Sequence, residues 1–185
     1  GTGLDRATFS ENIFDQNGYN DAGFTTGNQQ NHNIYLSTQN TDVVFWENTT
    51  TRASSDGVKI RSGGLIYNNL VYECPVGIKS GWDDADDAAP ISSGRTLIAK
   101  NVVLGGSTLL PSLALGWDIN VMNGIGGGVF DNLVANNSST SNAFGLRLDA
   151  TAFNIGVSKF DVRGNILYQT GGGGTAVLIF NGNGS

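Results

Sequence analysis

Charge is scarce in this chain, cysteine is nearly absent and long apolar runs are missing. Each shortage removes a class of protein. Charged residues make up 14% of the sequence, against about 25% in ordinary domains, which is too few for a coiled coil or a charged disordered tail. The balance is acidic, with 10 Lys and Arg against 16 Asp and Glu and a net charge of −6. The cationic footprint that phosphate neutralisation demands is missing, so nucleic acid is not an expected partner. The one cysteine, Cys74, has no internal disulfide partner, which leaves packing and backbone pairing to hold the fold. No apolar stretch approaches the ~20 residues of a membrane span, and the opening Gly1-Thr2-Gly3-Leu4-Asp5-Arg6 lacks a signal-peptide core. A membrane is therefore not an expected partner either.

Glycine is abundant instead. The 27 glycines among 185 residues are roughly twice the usual share and argue against a helical bundle. The length fits one domain over residues 1–185, by the prior of about 100–200 residues per domain. The Gly/Asn-rich finish, Asn181-Gly182-Asn183-Gly184-Ser185, has the composition expected of a piece of something longer.

An internal repeat emerges when segments are stacked on an asparagine. They are Phe9-Ser-Glu-Asn12-Ile-Phe, Phe45-Trp-Glu-Asn48-Thr-Thr, Ile66-Tyr-Asn-Asn69-Leu-Val, Ile98-Ala-Lys-Asn101-Val-Val, Val129-Phe-Asp-Asn132-Leu-Val and Val162-Arg-Gly-Asn165-Ile-Leu. Three residues before the asparagine every copy is apolar, and one residue after it only Thr49 is not. The residue just before it reads Glu11, Glu47, Asn68, Lys100, Asp131, Gly164. Alternation of this kind belongs to strands, and it assigns both apolar columns to the interior and the intervening one to solvent.

A shorter strand is expected between copies, at Asn33–Ser37, Gly57–Arg61, Gly77–Ser80, Leu113–Gly116, Gly145–Asp149 and Thr175–Ile179. Successive asparagines, from Asn12 to Asn48, Asn69, Asn101, Asn132 and Asn165, are separated by 36, 21, 32, 31 and 33 residues. Steps this long exceed a hairpin loop, and segments recurring in one orientation favour parallel pairing with the copy above and below. The expected fold is all-β, a single-stranded solenoid of about six coils. The asparagine suits a sharp corner, tolerates left-handed backbone and can bond its counterpart in the next coil. An antiparallel sandwich would show more regular strand spacing, ~8–12 residues, and leaves the asparagine column unexplained.

With apolar-x-x-Asn-apolar coils, Gly-rich corners and low charge from about Leu4 to Ile179, the chain resembles the right-handed parallel β-helix of the pectate-lyase-like superfamily. That superfamily includes polysaccharide lyases, inverting glycoside hydrolases and phage tailspikes. The resemblance implies a polysaccharide substrate or ligand and an extracellular or virion-surface location. It specifies fold well and function poorly, because one scaffold hosts many activities. Uncapped coils expose sheet edges, so flanking sequence or a homo-oligomer such as a trimer is expected.

Chemistry has to sit on the outside of such a coil. Aligning the short strands on Ile34, Val58, Ile78 and Leu146 places Tyr35, Lys59, Lys79 and Arg147 in one outward column, with Ala114 or Leu115 offered by the copy between. Coils stack about 4.7–4.9 Å apart, so Lys59 and Lys79 become neighbours and suit a polyanion such as a uronate polysaccharide. Exposed cations that only blunt aggregation of a strand face are the bland alternative. The only histidine, His32, and Asp56 each lie two residues before an aligned inward position, which sets them one coil apart and within reach of a hydrogen bond. A carboxylate that fixes an imidazole tautomer is a recurring part of general-base sites.

Arg52, Asp56, Lys59 and Arg61 fall within ten residues of chain, and with His32 and Tyr35 they suit β-elimination from a uronate. Arg61 or Arg52 holds the carboxylate, His32 or Lys59 takes the α-proton, and Tyr35 assists the leaving oxygen. Lys79, Arg147, Trp82 and Trp117 are the expected substrate-binding residues. Similar β-helix lyases, of the chondroitinase B and alginate lyase kind, use Lys and Arg for these steps, often beside a calcium ion. This chain matches them by residue type alone, and a histidine is not part of their pattern. Glycoside hydrolysis by paired carboxylates is the second chemistry, with Glu11, Glu47, Glu73, Asp131, Asp149 and Asp161 as candidates. A third reading is a non-catalytic glycan-binding domain. No cofactor is required. Asp83, Asp84, Asp86 and Asp87 offer hard oxygen ligands of the type calcium takes, without the spacing of an EF-hand.

Overall fold

The computed structural model describes residues 3–19, 27–81, 95–106, 115–123, 126–136, 138, 143–149, 160–169 and 174–180. Trp82 and the aspartates at 83, 84, 86 and 87 lie outside them. Within them the chain winds through six coils of three strands, and every strand pairs in parallel with its counterparts in the neighbouring coils.

The first sheet contains β1 (Thr8–Ser10), β4 (Val44–Trp46), β7 (Gly64–Tyr67), β10 (Thr96–Ala99), β13 (Gly127–Phe130) and β16 (Phe160–Arg163). The second contains β2 (Ile13–Asp15), β5 (Thr49–Thr51), β8 (Leu70–Tyr72), β11 (Val102–Leu104), β14 (Leu133–Asn136) and β17 (Ile166–Gln169). The third contains β3 (Ile34–Leu36), β6 (Asp56–Ile60), β9 (Val76–Gly81), β12 (Trp117–Met122), β15 (Phe144–Asp149) and β18 (Thr175–Phe180). This is a parallel β-helix.

The asparagine column is its spine. Each side-chain amide donates to the Oδ1 of the next copy, from Asn12 to Asn48 (2.9 Å), Asn69 (3.2 Å), Asn101 (2.9 Å), Asn132 (3.0 Å) and Asn165 (2.8 Å). The same Oδ1 atoms accept the preceding copy's backbone N–H at 2.9 to 3.0 Å. Asn48 also begins a glycosylation sequon, but it is buried in this ladder.

Two expectations about the corner are corrected. The left-handed backbone falls one residue earlier than the asparagine, at Glu11, Glu47, Asn68, Lys100 and Asp131, with φ between 53° and 57°. Gly164 takes the same place with φ 68°. That turn splits each repeat into two strands of different sheets and shifts the facing pattern. The apolar residue after the asparagine therefore points outward, with Ile13 78% and Ile166 64% exposed. The inward position is one further on, where Thr50, Val71, Val103 and Val134 are buried and Phe14 and Leu167 pack against the core.

The core is three inward columns, one per sheet, meeting along the axis. The first sheet gives Phe45, Ile66, Ile98 and Val129, and the third gives Val58, Ile78, Ile119 and Leu146, all fully or almost fully buried. Cys74 belongs to the same buried cluster, and burial pushes its thiol up to about 12, so it is a packed side chain rather than a nucleophile. In the fourth coil the described short strand is Trp117–Met122, later than expected; residues 113 and 114 of the expected segment lie outside the described residues. The alternation of Ile119 and Val121 inward with Asn120 between them is the physical reason.

Candidate active site

The outer face of the third sheet collects the polar residues. Parallel register sets Tyr35 beside Lys59, Lys59 beside Lys79, Lys79 beside Asn120 and Asn120 beside Arg147. Strand periodicity makes this unavoidable: Val58 and Ile60 point into the core, so Lys59 points away from it. Asn120 was missing from the expected column because the fourth coil's strand was placed too early.

His32 enters from the segment that leads into β3, and its neighbours fix it. Asn31 donates its amide to the Gly18 carbonyl at 2.9 Å. Asn33 donates to Thr50 Oγ1 at 2.8 Å and to the Thr51 carbonyl at 2.9 Å, while its Oδ1 accepts from the Asn17 amide at 3.0 Å. Held on both sides, the imidazole sets Nδ1 2.6 Å from Asp56 Oδ2, with the two side chains only 5% and 4% exposed. The expected pairing across one coil is present. A carboxylate oxygen accepts the Nδ1 proton, which leaves the Nε2 lone pair as the basic end of the ring.

Around this pair the cations gather. The His32 and Tyr35 rings stack at 5.3 Å with an interplanar angle of 18°. Lys59 Nζ lies 5.5 Å and the Arg61 guanidinium carbon 5.4 Å from the centre of the Tyr35 ring. His32, Tyr35, Lys59 and Arg61 line a cavity of about 480 Å³. A second cavity of about 230 Å³ adjoins it, lined by Asp56, Lys59, Arg61, Lys79, Val76 and Trp117. Three cations face one carboxylate in the described lining.

The other expected residues divide. Trp117 and Lys79 belong to the second cavity. Arg147 lies one step further along the sheet, with its guanidinium 4.5 Å from the Trp117 ring centre and its Nη2 2.5 Å from Asp149 Oδ2. Burial pulls the Arg147 guanidinium below its ordinary value, and the Asp149 charge works against that pull. Arg52 does not join the group. Its backbone turns at a left-handed corner and its side chain, 47% exposed, makes a two-point ion pair with Asp15 of the preceding coil. Arg61 is therefore the guanidinium beside His32, and Arg52 holds a corner.

The carboxylates considered for hydrolysis are dispersed. Glu11 and Glu47 stack on adjacent coils at the exposed left-handed corner, and neither lines either cavity. Asp161 pairs with Arg163 on the first sheet, and Asp149 is taken by Arg147. Among the described residues no group of three or more His, Cys, Asp and Glu side chains is arranged to hold a metal ion.

No protein-family model, no curated protein and no solved structure matches this chain. Function therefore has to be argued from the side chains themselves.

Proposed function

We propose that this β-helix is a lyase that cleaves an acidic, uronate-containing polysaccharide by β-elimination, and that it belongs with the polysaccharide lyases of the pectate-lyase-like superfamily. The observation that carries the reading is the His32–Asp56 pair at 2.6 Å, whose imidazole lines one cavity with Tyr35, Lys59 and Arg61. General base, cationic carboxylate clamp and proton donor are the three parts that the elimination requires.

In this reading the Arg61 fork grips the uronate carboxylate, and Lys59 adds charge as the α-carbon becomes carbanionic. His32 Nε2 removes the proton from the carbon that bears the carboxylate. The electron pair released forms a double bond to the adjacent ring carbon, and that carbon's bond to the glycosidic oxygen breaks. The Tyr35 hydroxyl protonates the departing oxygen. Asp56 stabilises the imidazolium as it forms and keeps the ring in one tautomer. The products are an unsaturated uronate and a new reducing end.

Incubation with a panel of acidic polysaccharides tests the reading, followed in the ultraviolet band of the unsaturated uronate. A rise on at least one member is expected. New reducing ends without absorbance would replace elimination with hydrolysis, and saccharide binding without either product would make the chain a binding domain.

A further inference from the structure

The outer face of the second sheet carries apolar side chains where solvent-facing strand positions usually carry polar ones. Six of the ten large hydrophobic side chains that stand exposed among the described residues belong to it: Ile13, Leu70, Tyr72, Leu133, Ile166 and Tyr168. Parallel register stacks this face in two columns. Nearer the asparagine ladder run Ile13, Thr49, Leu70, Val102, Leu133 and Ile166, and toward the far end of the strands run Asp15, Thr51, Tyr72, Leu104, Ala135 and Tyr168. The only charge in either column is Asp15, which is already held by Arg52 and Thr51. A contiguous exposed apolar patch of this kind marks an interaction surface. Copies of a chain with net charge −6 repel one another, and this nearly uncharged face is where that repulsion is least.

Two rows of left-handed corners frame the face. On the asparagine side stand Glu11, Glu47, Asn68, Lys100 and Asp131, and on the other side Gln16, Arg52, Glu73 and Gly105. A second copy stacked face to face on a twofold axis parallel to the solenoid sets each coil against its own counterpart, with strand direction reversed. Leu70 then meets the partner's Tyr72, Ile166 meets the partner's Tyr168 and Leu133 meets the small Ala135, while Glu47 at the rim faces the cationic Arg52. A twofold axis across the solenoid instead sets the second coil against the fifth and brings Glu47 against Asp131, like charge against like, twice. Six coils at about 4.8 Å and six residues at about 3.3 Å, corner to corner, make roughly 600 Å² per copy. Two such faces reach the ~1,200 Å² at the low end of specific interfaces.

From this geometry we infer that the protein forms a reversible twofold dimer, two solenoids side by side and pointing the same way, through the outer faces of their second sheets. The partner is a second copy of this chain. Both cavities lie on the third sheet, which faces another way, so pairing leaves them open and is independent of the proposed reaction.

Sedimentation velocity of the parent across about 1–500 µM, the range in which an interface of this size associates, is the test. The mass is expected to rise from one chain to two and no further. Leu70→Asp and Leu133→Asp, each shown to melt as the parent does in dilute solution, put a carboxylate in the middle of the face and are expected to weaken the dimer about tenfold or more. Glu47→Lys and Asp131→Lys change the net charge equally and lie in the same corner column, but only the first sits opposite a cation. Glu47→Lys is expected to weaken the dimer roughly threefold or more, the scale of a rim charge pair. Asp131→Lys, opposite the level of the uncharged Asn136, is expected to leave it within about twofold. A single chain at every concentration, an assembly of three chains, or a dimer that both aspartate variants leave intact would overturn the proposal. A dimer that both lysine variants tighten would overturn its side-by-side register.

Discussion

Asn48 and Asn69 are 21 residues apart in the chain and one coil apart in space, and Asn69 Oδ1 accepts both the backbone N–H of Asn48 at 2.9 Å and its side-chain amide at 3.2 Å. The Asn69 amide in turn donates to the Phe45 and Tyr67 carbonyls and to Asn101 Oδ1. Removing one member orphans donors on one side and acceptors on the other. Asn69→Ala is expected to destabilise by roughly 3 kcal/mol, since each buried group left unsatisfied costs about 1–3 kcal/mol. Asn165→Ala, at the end of the ladder, should cost clearly less. Urea unfolding of both variants decides it, and equal losses would show that the ladder is not a shared support.

Glycine provides a second check at one place. Gly127 begins β13 at φ +140°, and a Cβ there would stand 1.7 Å from the Thr96 carbonyl oxygen of the coil below. Gly3 also has positive φ, at +71°, but nothing lies within 4 Å of its would-be Cβ. Gly127→Ala is expected to prevent normal folding, whereas Gly3→Ala costs only the left-handed penalty of about 1–2 kcal/mol. Circular dichroism and thermal melts separate them, and a stable Gly127→Ala would contradict the close approach of the coils.

Most of the fold was legible because a solenoid repeats its solution. The Asn12-to-Asn165 column, five of the six short strands and the neighbourhood of Lys59 and Lys79 all followed from aligning one residue type. What failed did so for a local reason. The facing of Ile13, Leu70 and Ile166 depends on a left-handed residue before the asparagine, and sequence alternation does not count a corner. Trp117–Met122 was displaced because Leu113–Gly116 offered a similar apolar pattern just upstream. Arg52 and Arg61 are hard to tell apart in sequence, lying four and five residues from Asp56. A turn at Arg52 sends its side chain toward Asp15 instead.

That difference is testable. Arg52→Ala removes a solvent-screened ion pair of little net worth and is expected to leave the elimination rate unchanged. Arg61→Gln removes the proposed carboxylate clamp and is expected to raise KM and lower kcat together. Comparable losses in both variants would place Arg52 back in the site.

A buried acid makes stability depend on pH. Asp118 is wholly buried; its carboxyl accepts the Gly106 N–H at 3.1 Å, and burial pushes it up to about 7 against the pull of Asn136 and Gly106. Its folded value lies above its unfolded one, so the folded state keeps a proton that the unfolded chain releases. Stability from this group is full below about pH 4 and is lost as pH rises toward 7, by an amount on the order of 4 kcal/mol at most. Asp118→Asn is uncharged throughout and should be more stable than the parent above pH 7, with a flatter profile between pH 4 and 7. Parallel profiles for the two proteins would contradict the buried, protonated carboxyl.

The most direct measurement is the initial rate of unsaturated-uronate formation by the parent, His32→Gln and Asp56→Asn proteins on one acidic polysaccharide, each variant first shown to melt as the parent does. The account predicts a loss of roughly a hundredfold or more without the imidazole, the scale of a removed general base, and an intermediate loss when Asp56 can no longer carry charge. A His32→Gln protein that forms product at the parent rate would contradict it.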